Sequence, residues 1–407
     1  MAKNVWYICK YADVAKYSFD SRQSFLCKEF VKKGLHATLI LANYSHFSQG
    51  QPIFKGDFKK EIIDGVQVIW INIPNYGKAT SIKRFWSWIV FEYRIITNHR
   101  KIAIENRPDV VIASSLSLLS VISGFFLKRK YKTKFIFEIR DIWPMAFQST
   151  VGWSDYNPII WLLRMFEKFA YKHADQVVGT MPALNIHVKE SIGKEVPCAC
   201  IPQGISLDFY QNRQELLEPE FLNRYLPQNK FTITYAGTLG CSYALDKVVD
   251  AAKILFEKNP NVQFIFLGDG VLKPELMKQA EGYNNVIFVP KIPKTKVSDF
   301  LAHSSVLLCS IEMQKENNYG ISPNKYIDYM YSARPVIVMF SGYRSIINDA
   351  KCGYFVPSAD SVALAEKIEE MYHMEKSELD NMGLRGKQYL LDHCRYEILA
   401  EQYIELM

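Results

Sequence analysis

No Cys-x-x-Cys pair occurs in this sequence, and its eight cysteines include only one close pair, Cys198-Ala-Cys200. That spacing argues against a zinc site and leaves the thiols to be read as reduced, mostly packing residues. A charge excess of one sign is nearly lacking too. Lys and Arg number 49 against 42 Asp and Glu, a net charge of +7. So small a surplus suits an anionic small molecule or a membrane surface, and no nucleic-acid-binding motif accompanies it. Long hydrophobic runs are missing: stretches such as Leu116 to Leu127 are too short to span a bilayer. The opening "MAKNVWYICKYADV" enters an apolar strand without a signal-peptide profile. No Gly-x-Gly-x-x-Gly follows the first predicted strand and no Walker lysine motif occurs, which argues against a dinucleotide dehydrogenase and a kinase-type ATPase. There is no internal repeat and no low-complexity tract. Together these absences predict a cytoplasmic protein that is not integral to the membrane.

What is present is core-forming material. Hydrophobic residues make up 49% of the 407, with 24 Tyr, 25 Phe and 7 Trp, ample for two or three domains of roughly 150 residues each. Short apolar runs alternate with helical patterns. "NVWYICK" reads as a strand, Ser21 to Lys33 as a helix ended by Gly34, and "HATLILA", "VQVIWINI", "DVVIAS", "KFIFEI", "QVVGT" and "VPCACIP" as further strands. A helix is predicted over Leu116 to Lys130. The rhythm breaks from Gln203 to Asn229 and restarts with "FTITYAGT", "VQFIFLG", "VIFVP", "VLLCS", "PVIVMF" and "GYFVP". Alternation of this kind predicts α/β domains built on parallel sheets. Domain boundaries fall at 1–205 and 206–384, with a C-terminal helix of about 385–407 packing back on the first domain. Ligands of such domains bind beyond the C-terminal ends of the strands, here in a cleft between two facing domains.

The stretch "GISPNKYIDYMYSARPVIV" holds the sharpest motif. Ser322 is a good helix N-cap and Pro323 suits the first helical position. The Asn324 and Lys325 amides then lack intrahelical partners and, with the helix dipole, make an anion site. Gly320 permits close backbone approach, and Asp328 is predicted to share a face with Asn324 and Lys325. A phosphate site with a carboxylate one turn deeper suits a nucleoside diphosphate whose ribose needs an acceptor. An ordinary capped helix with solvated charges would look the same. "YAGTLG" and "FLGDG" end the two preceding strands, so Gly237, Gly240, Gly268 and Gly270 can bring amides to a phosphate, or serve as plain turns.

These stretches, with "FEIRDIWP" (Phe137 to Pro144) and "IPQGI" (Ile201 to Ile205), resemble the family-four retaining glycosyltransferases of the two-domain GT-B fold. The resemblance covers essentially the whole chain. More narrowly it is to the bacterial branch that builds O-antigen, capsule and colanic acid, including N-acetylfucosamine transferases. It implies that Asp328 holds the ribose. The family's first donor-site glutamate falls on Gly320, so the sugar hydroxyls are met around Tyr319, Gly320, Ile321 and Ser322. The Arg and Lys with which many relatives clamp the diphosphate correspond to Thr238 and Tyr243, which shifts that task to Lys325 and the helix start. The nucleobase packs near Phe288 to Ile292, with Lys291 on the donor side.

In the first domain, Glu138, Arg140 and Asp141 end a strand. Asp141 can accept from an acceptor or donor hydroxyl with Arg140 orienting it, or the two can form a structural pair bracing the loop. Arg22 opens the first helix where relatives carry a basic residue, and His46 follows the second strand, where relatives often show His and where an ordinary surface histidine would look the same. Arg22, His46 and Glu138 are the candidate acceptor-binding residues; Asp141, Arg140 and Lys325 are the candidate catalytic ones. The stretch "IKRFWSWIVFEYRIITNHRK" (Ile82 to Lys101) mixes bases with aromatics and reads either as a helix lying on an anionic membrane or as a domain helix burying its rings.

The expected activity is retaining transfer of a hexosyl or N-acetylhexosaminyl group from a UDP-sugar to a polyprenyl-diphosphate-linked saccharide, at the inner face of the plasma membrane. No Asp-x-Asp pair with metal-holding spacing occurs, so no metal or other cofactor is expected, and no nucleic-acid partner. A UDP-sugar 2-epimerase of the same architecture, a glycogen-synthase-like enzyme and an inactive donor-binding scaffold are the alternatives.

Overall fold

The computed structural model describes residues 2–46, 50, 52–77, 81–115, 117–227 and 229–407. The chain divides into two compact units, Met1–Gly204 with Tyr396–Met407, and Ile205–Arg395.

The first unit runs β1 (Asn4–Ile8), α1 (Arg22–Lys32), β2 (His36–Ala42), β3 (Phe58–Ile63), β4 (Val66–Ile71), α2 (Ile82–Ile102), β5 (Val110–Ser114), α3 (Ser120–Tyr131), β6 (Lys134–Ile139), α4 (Met145–Val151), α5 (Pro158–His173), β7 (Gln176–Gly179), α6 (Leu184–Ile192) and β8 (Cys198–Cys200). Its eight strands lie in the order β3-β4-β2-β1-β5-β6-β7-β8. All neighbours are parallel except β3, which pairs antiparallel with β4. That edge strand was not expected. Its signal is Asp64-Gly65, which joins Ile63 to its partner Val66 with φ of 51° and 79°. Positive φ at both loop residues is what a two-residue hairpin matching strand twist requires. The predicted start of α3, Leu116, lies outside the described residues.

The second unit runs α7 (Leu207–Asn212), α8 (Pro219–Tyr225), β9 (Phe231–Ala236), α9 (Leu245–Lys258), β10 (Val262–Leu267), α10 (Lys273–Gln279), β11 (Val286–Val289), α11 (Lys294–Ala302), β12 (Val306–Ser310), α12 (Lys325–Tyr331), β13 (Val336–Met339), α13 (Ile346–Asp349), β14 (Gly353–Val356), α14 (Ser361–Tyr372) and α15 (Lys376–His393). Its six strands are all parallel, in the order β11-β10-β9-β12-β13-β14. The chain then returns to the first unit as α16 (Tyr396–Glu405). The return is shorter than the expected 385–407. Leu390 of α15 is buried in the second unit's core, whereas Tyr396, Leu399 and Tyr403 of α16 are buried in the first unit's.

Period-two alternation sends each strand's side chains to both faces of its sheet. In the first unit Val5, Tyr7, Leu39 and Val68 pack against α1 and α16, while Trp6, Ile8, Ile40 and Ile69 pack against α2 and α3. Alpha-helix α5 lies on the same side as α2 and α3, since Tyr171 meets the ring of Phe137 and Phe169 that of Phe125. Among the described residues, no helix is long and apolar enough to cross a membrane.

Candidate functional site

In the second unit the donor-side residues gather at the C-terminal ends of β9, β10 and β12. Gly237 and Gly268 both have strongly positive φ, 147° and 144°. A Cβ on Gly268 would lie 2.0 Å from the Gly237 carbonyl oxygen, and one on Gly270 2.3 Å from that of Leu239. Glycine is therefore needed for the two turns to stack on each other. Their amides are mostly engaged: Gly237 donates to Leu267, Gly268 to Val289 and Gly270 to the Asp269 carboxylate. This corrects the reading of Gly237, Gly268 and Gly270 as bringing amides to a phosphate. They shape the turn after β9, where the amides of Thr238 and Gly240 have no acceptor among the described residues.

Lys325 reaches this turn from the start of α12. Its Nζ donates to the Tyr235 hydroxyl at 3.0 Å and lies 4.2 Å and 4.0 Å from the ring centroids of Tyr235 and Tyr243. The place where a Gly237 Cβ would stand is 3.5 Å away. Among the described residues no carboxylate pairs with it. Burial pushes its pKa down, opposed by Cys309. An ammonium held by two ring faces and one hydroxyl, beside free amides, is poised for an anion. Tyr243 thus stands where the resemblance expects a base and serves instead as one wall of the lysine's cage.

The helix start differs from expectation. Alpha-helix α12 begins at Lys325 with Asn324 at the N-cap and no side-chain cap, so Ser322 does not cap it. Tyr326 and Ile327 donate back to Pro323 and Asn324 in tight turns, leaving the Asn324 and Lys325 amides without acceptors. Gly320 sits at φ 93°, which favours glycine over the glutamate of relatives. Tyr319, Ile321 and Ser322 beside it are half-buried.

The side chains of Asn324, Lys325 and Asp328 go to different surroundings. Asn324 is exposed, Lys325 turns to Tyr235, and the buried Asp328 carboxylate accepts from the Lys294 ammonium through both oxygens and from the Tyr210 hydroxyl at 2.5 Å. Lys294 and Tyr210 escaped the sequence reading; their only local signal is a lysine opening a helix just past a strand end. Lys291 is exposed, and Phe288 stacks on Phe266 with centroids 5.1 Å apart.

In the first unit the acceptor-side candidates separate. Arg22 and Glu138 are buried together beneath α1 and α16. Arg22 donates to Glu138 at 3.1 Å and to the carbonyls of Ile201 and Pro202, and Tyr403 donates to Glu138 at 2.7 Å. Burial raises the Glu138 pKa, but Arg22 and Arg140 outweigh it and hold the carboxyl below its ordinary value. This corrects the acceptor-binding reading of both residues: neither offers a group to solvent, and together they pin α16 and the "IPQGI" strand end. Arg140 is half-buried with Nε unpartnered, Asp141 is exposed, and the two form no ion pair.

His46 lies on the other face, its Nδ1 3.0 Å from the Tyr76 hydroxyl. Beside it, Lys10 just after β1 is buried, with Nζ 4.3 Å and 4.9 Å from the ring centroids of Tyr11 and Tyr76 and no hydrogen-bond partner among the described residues. Burial, then Arg84, push its pKa down to about 7, against Glu92 and Cys9. Burial pushes the Glu92 carboxyl up to about 7, opposed by its hydrogen bond from Ser123 and by Lys10. Neither Lys10 nor Glu92 was singled out from sequence.

Two family models match the chain, each within one unit. "Glycosyl transferase 4-like domain" spans residues 25–204 and "Glycosyl transferases group 1" spans 230–374. The probable glycosyltransferase WbjE of Pseudomonas aeruginosa is 23% identical over 280 residues, 67% of this chain and 68% of that protein. Among solved structures, sucrose-phosphate synthase from Thermosynechococcus elongatus superposes with a TM-score of 0.73 at 16% identity, covering 99% of this chain and 98% of that one. Anabaena HepE in complex with UDP-glucose superposes with a TM-score of 0.64 at 13% identity, with the same coverage. Fold and matches define a glycosyltransferase of the GT-B type. Each unit matches a glycosyltransferase family model, and the match of the first unit is to a family-four-like domain.

Proposed function

We propose that the protein transfers a sugar, hexosyl or N-acetylhexosaminyl, from a UDP-sugar to a polyprenyl-diphosphate-linked saccharide with retention at the anomeric carbon. The setting is bacterial surface polysaccharide assembly of the O-antigen or capsule type, at the inner face of the plasma membrane. The observation that carries the donor half is Lys325, a partly buried cation that has no carboxylate partner among the described residues and is caged beside the amides of Thr238, Gly240, Asn324 and Lys325, which find no acceptor among them either. The structure of HepE with UDP-glucose supports a nucleotide-sugar donor.

In this mechanism the bond between the anomeric carbon and the UDP oxygen breaks, and a bond to the acceptor hydroxyl oxygen forms. The hydroxyl proton passes to the departing phosphate, so no strong base is required. Lys325 and the amides stabilise the charge that develops on the diphosphate, the task a metal performs elsewhere. Asp328 takes the ribose hydroxyls in exchange for its present donors, and the exposed Asp141 accepts from a sugar hydroxyl. The test is thermal stabilisation by UDP, GDP and several UDP-sugars. Selective stabilisation by UDP, lost in Lys325→Ala and Asp328→Ala, is expected. Stabilisation by GDP alone would change the donor class, and none by any nucleotide would refute the reading.

A further inference from the structure

The outer surface of the first unit carries an apolar face that core packing does not explain. Alpha-helix α5 already satisfies its core with an inward stripe of Ile160, Leu163, Ala170 and Tyr171. A surface helix should then be polar on the opposite stripe. Instead its first two turns expose Ile159, Trp161, Leu162 and Met165, with Trp161 63% exposed, and Tyr156 just before it is 96% exposed. The same stripe continues as Lys168 and Lys172, both exposed. The single acid of the helix, Glu167, points inward to His187 and Tyr171.

Alpha-helix α2 repeats the arrangement. Trp86, Ile89 and Tyr93 are exposed along one stripe, bracketed by exposed Lys83 at its start and Arg100 and Lys101 at its end. Its single acid, Glu92, is buried. Between α2 and α5 lies α3, with ring contacts from Phe126 to His99 and from Phe125 to Phe169. It has no acid, and its Arg129 and Lys130 are exposed. Three neighbouring helices on one side of one sheet thus present aromatics and bases with no acid on their outer stripes. The nearby Asp155 is neutralised by Arg164.

We propose that this face, with the N-terminal half of α5 as its principal contact, docks on an anionic lipid bilayer. Exposed Trp and Tyr favour the boundary between headgroups and acyl chains, where one end of the ring is apolar and the other wet. Lys168, Lys172 and the bases of α2 and α3 reach back to the headgroups on their flexible stems. A second copy of the chain fits less well. A twofold contact through this face would bring the same bases together with no acid to meet them. The proposal deepens the lipid-linked-acceptor reading and rests on it for its purpose, yet vesicle binding needs neither donor nor acceptor.

The test is co-sedimentation of the full chain with phosphatidylcholine vesicles and with vesicles containing phosphatidylglycerol. Binding to the anionic vesicles is expected to be stronger by about tenfold or more and to weaken with salt. The double variant Trp161→Ser, Met165→Ser should lose about tenfold in partitioning, with UDP stabilisation unchanged. Both sites are exposed, so unchanged circular dichroism and melting are the folding control. Absence of binding to anionic vesicles, or equal binding by the double variant, would overturn the proposal. So would a dimer in sedimentation velocity that the same substitutions dissolve. If UDP gives no stabilisation while vesicles still bind, the donor reading fails and the docking face stands.

Discussion

Arg22 and Lys325 are both cations withdrawn from water, one in each unit, and their surroundings differ completely. Arg22 meets a carboxylate and two backbone carbonyls, and its carboxylate partner is met in turn by Tyr403. Lys325 meets a phenol and two ring faces, none of them able to neutralise it. A buried charge without a counter-charge costs stability. The satisfied centre therefore belongs to the architecture and the unsatisfied one to a ligand. Sequence position alone would have assigned both to substrate, since each opens a helix after a strand.

The largest effect that would break this comparison is loss of the Arg22 counter-charge. Glu138→Ala strands the guanidinium and should destabilise the first unit by about 3–5 kcal/mol. Urea denaturation read on each unit's transition should show the first one shift, while UDP stabilisation of the second persists. The Glu138 pKa gives the sign with acid. Held below 4.5, the carboxylate contributes stability that is present above about pH 4.5 and lost as pH falls through its lowered folded value. A first-unit transition unmoved by Glu138→Ala would remove the architectural reading of this pair.

Lys325→Met should do the reverse. Removing a buried cation that has no counter-charge among the described residues should leave the melting temperature without ligand unchanged or raised. UDP affinity should fall by about 2 kcal/mol, roughly thirtyfold, because a charge-assisted phosphate contact is gone. Isothermal titration calorimetry with UDP measures both the loss and its pH dependence. Since burial lowers the lysine's pKa, wild-type affinity should decline as pH rises toward that lowered value below 10.5. A loss of ligand-free stability equal to that in Glu138→Ala would erase the contrast between the two sites.

Lys10 is a second unsatisfied cation, inside the otherwise satisfied unit, and it sharpens the comparison through pH. Its folded pKa of about 7 lies below the ordinary 10.5, so between those values the unfolded chain holds a proton the folded one lacks. Stability of the first unit should therefore rise with pH across that window. Glu92 acts oppositely from pH 4.5 to about 7, where the folded state holds the extra proton and stability falls. The first unit should have a shallow stability minimum near neutral pH. Lys10→Met should flatten the alkaline limb, by on the order of 1 kcal/mol between pH 7 and 9. Thermal melts of the two proteins at both pH values decide it.

The strand–helix alternation and the break near residue 205 were legible because they follow from local periodicity and punctuation, whereas the cap expected at Ser322 gave way to a helix starting at Lys325. What could not be read were partners distant in sequence. Arg22 and Glu138 are 116 residues apart and Tyr403 is 265 beyond Glu138, so nothing local distinguishes a braced arginine from a substrate-facing one. Likewise, the glycines of "FLGDG" looked like a phosphate turn, yet their role is to admit the backbone of the neighbouring turn. The β3 hairpin was locally legible in Asp64-Gly65, but "FKKEII" is too charged to stand out as a strand.

Asp328 offers the finest distinction between structure and site, because it is satisfied by a group that can leave. Tyr210 is buried, but the Lys294 side chain is 56% exposed, so its pairing with Asp328 is largely screened. A ribose entering this position must displace that ammonium from the carboxylate. Lys294→Met removes the competitor and leaves a buried carboxylate with one donor, which a ribose hydroxyl then satisfies. UDP binding should tighten by roughly threefold, about 0.7 kcal/mol, while ligand-free stability falls by about 0.5–1 kcal/mol. Weaker UDP binding in this variant would mean that Lys294 is itself a ligand of the diphosphate, and that the second unit meets its anion with two lysines rather than one.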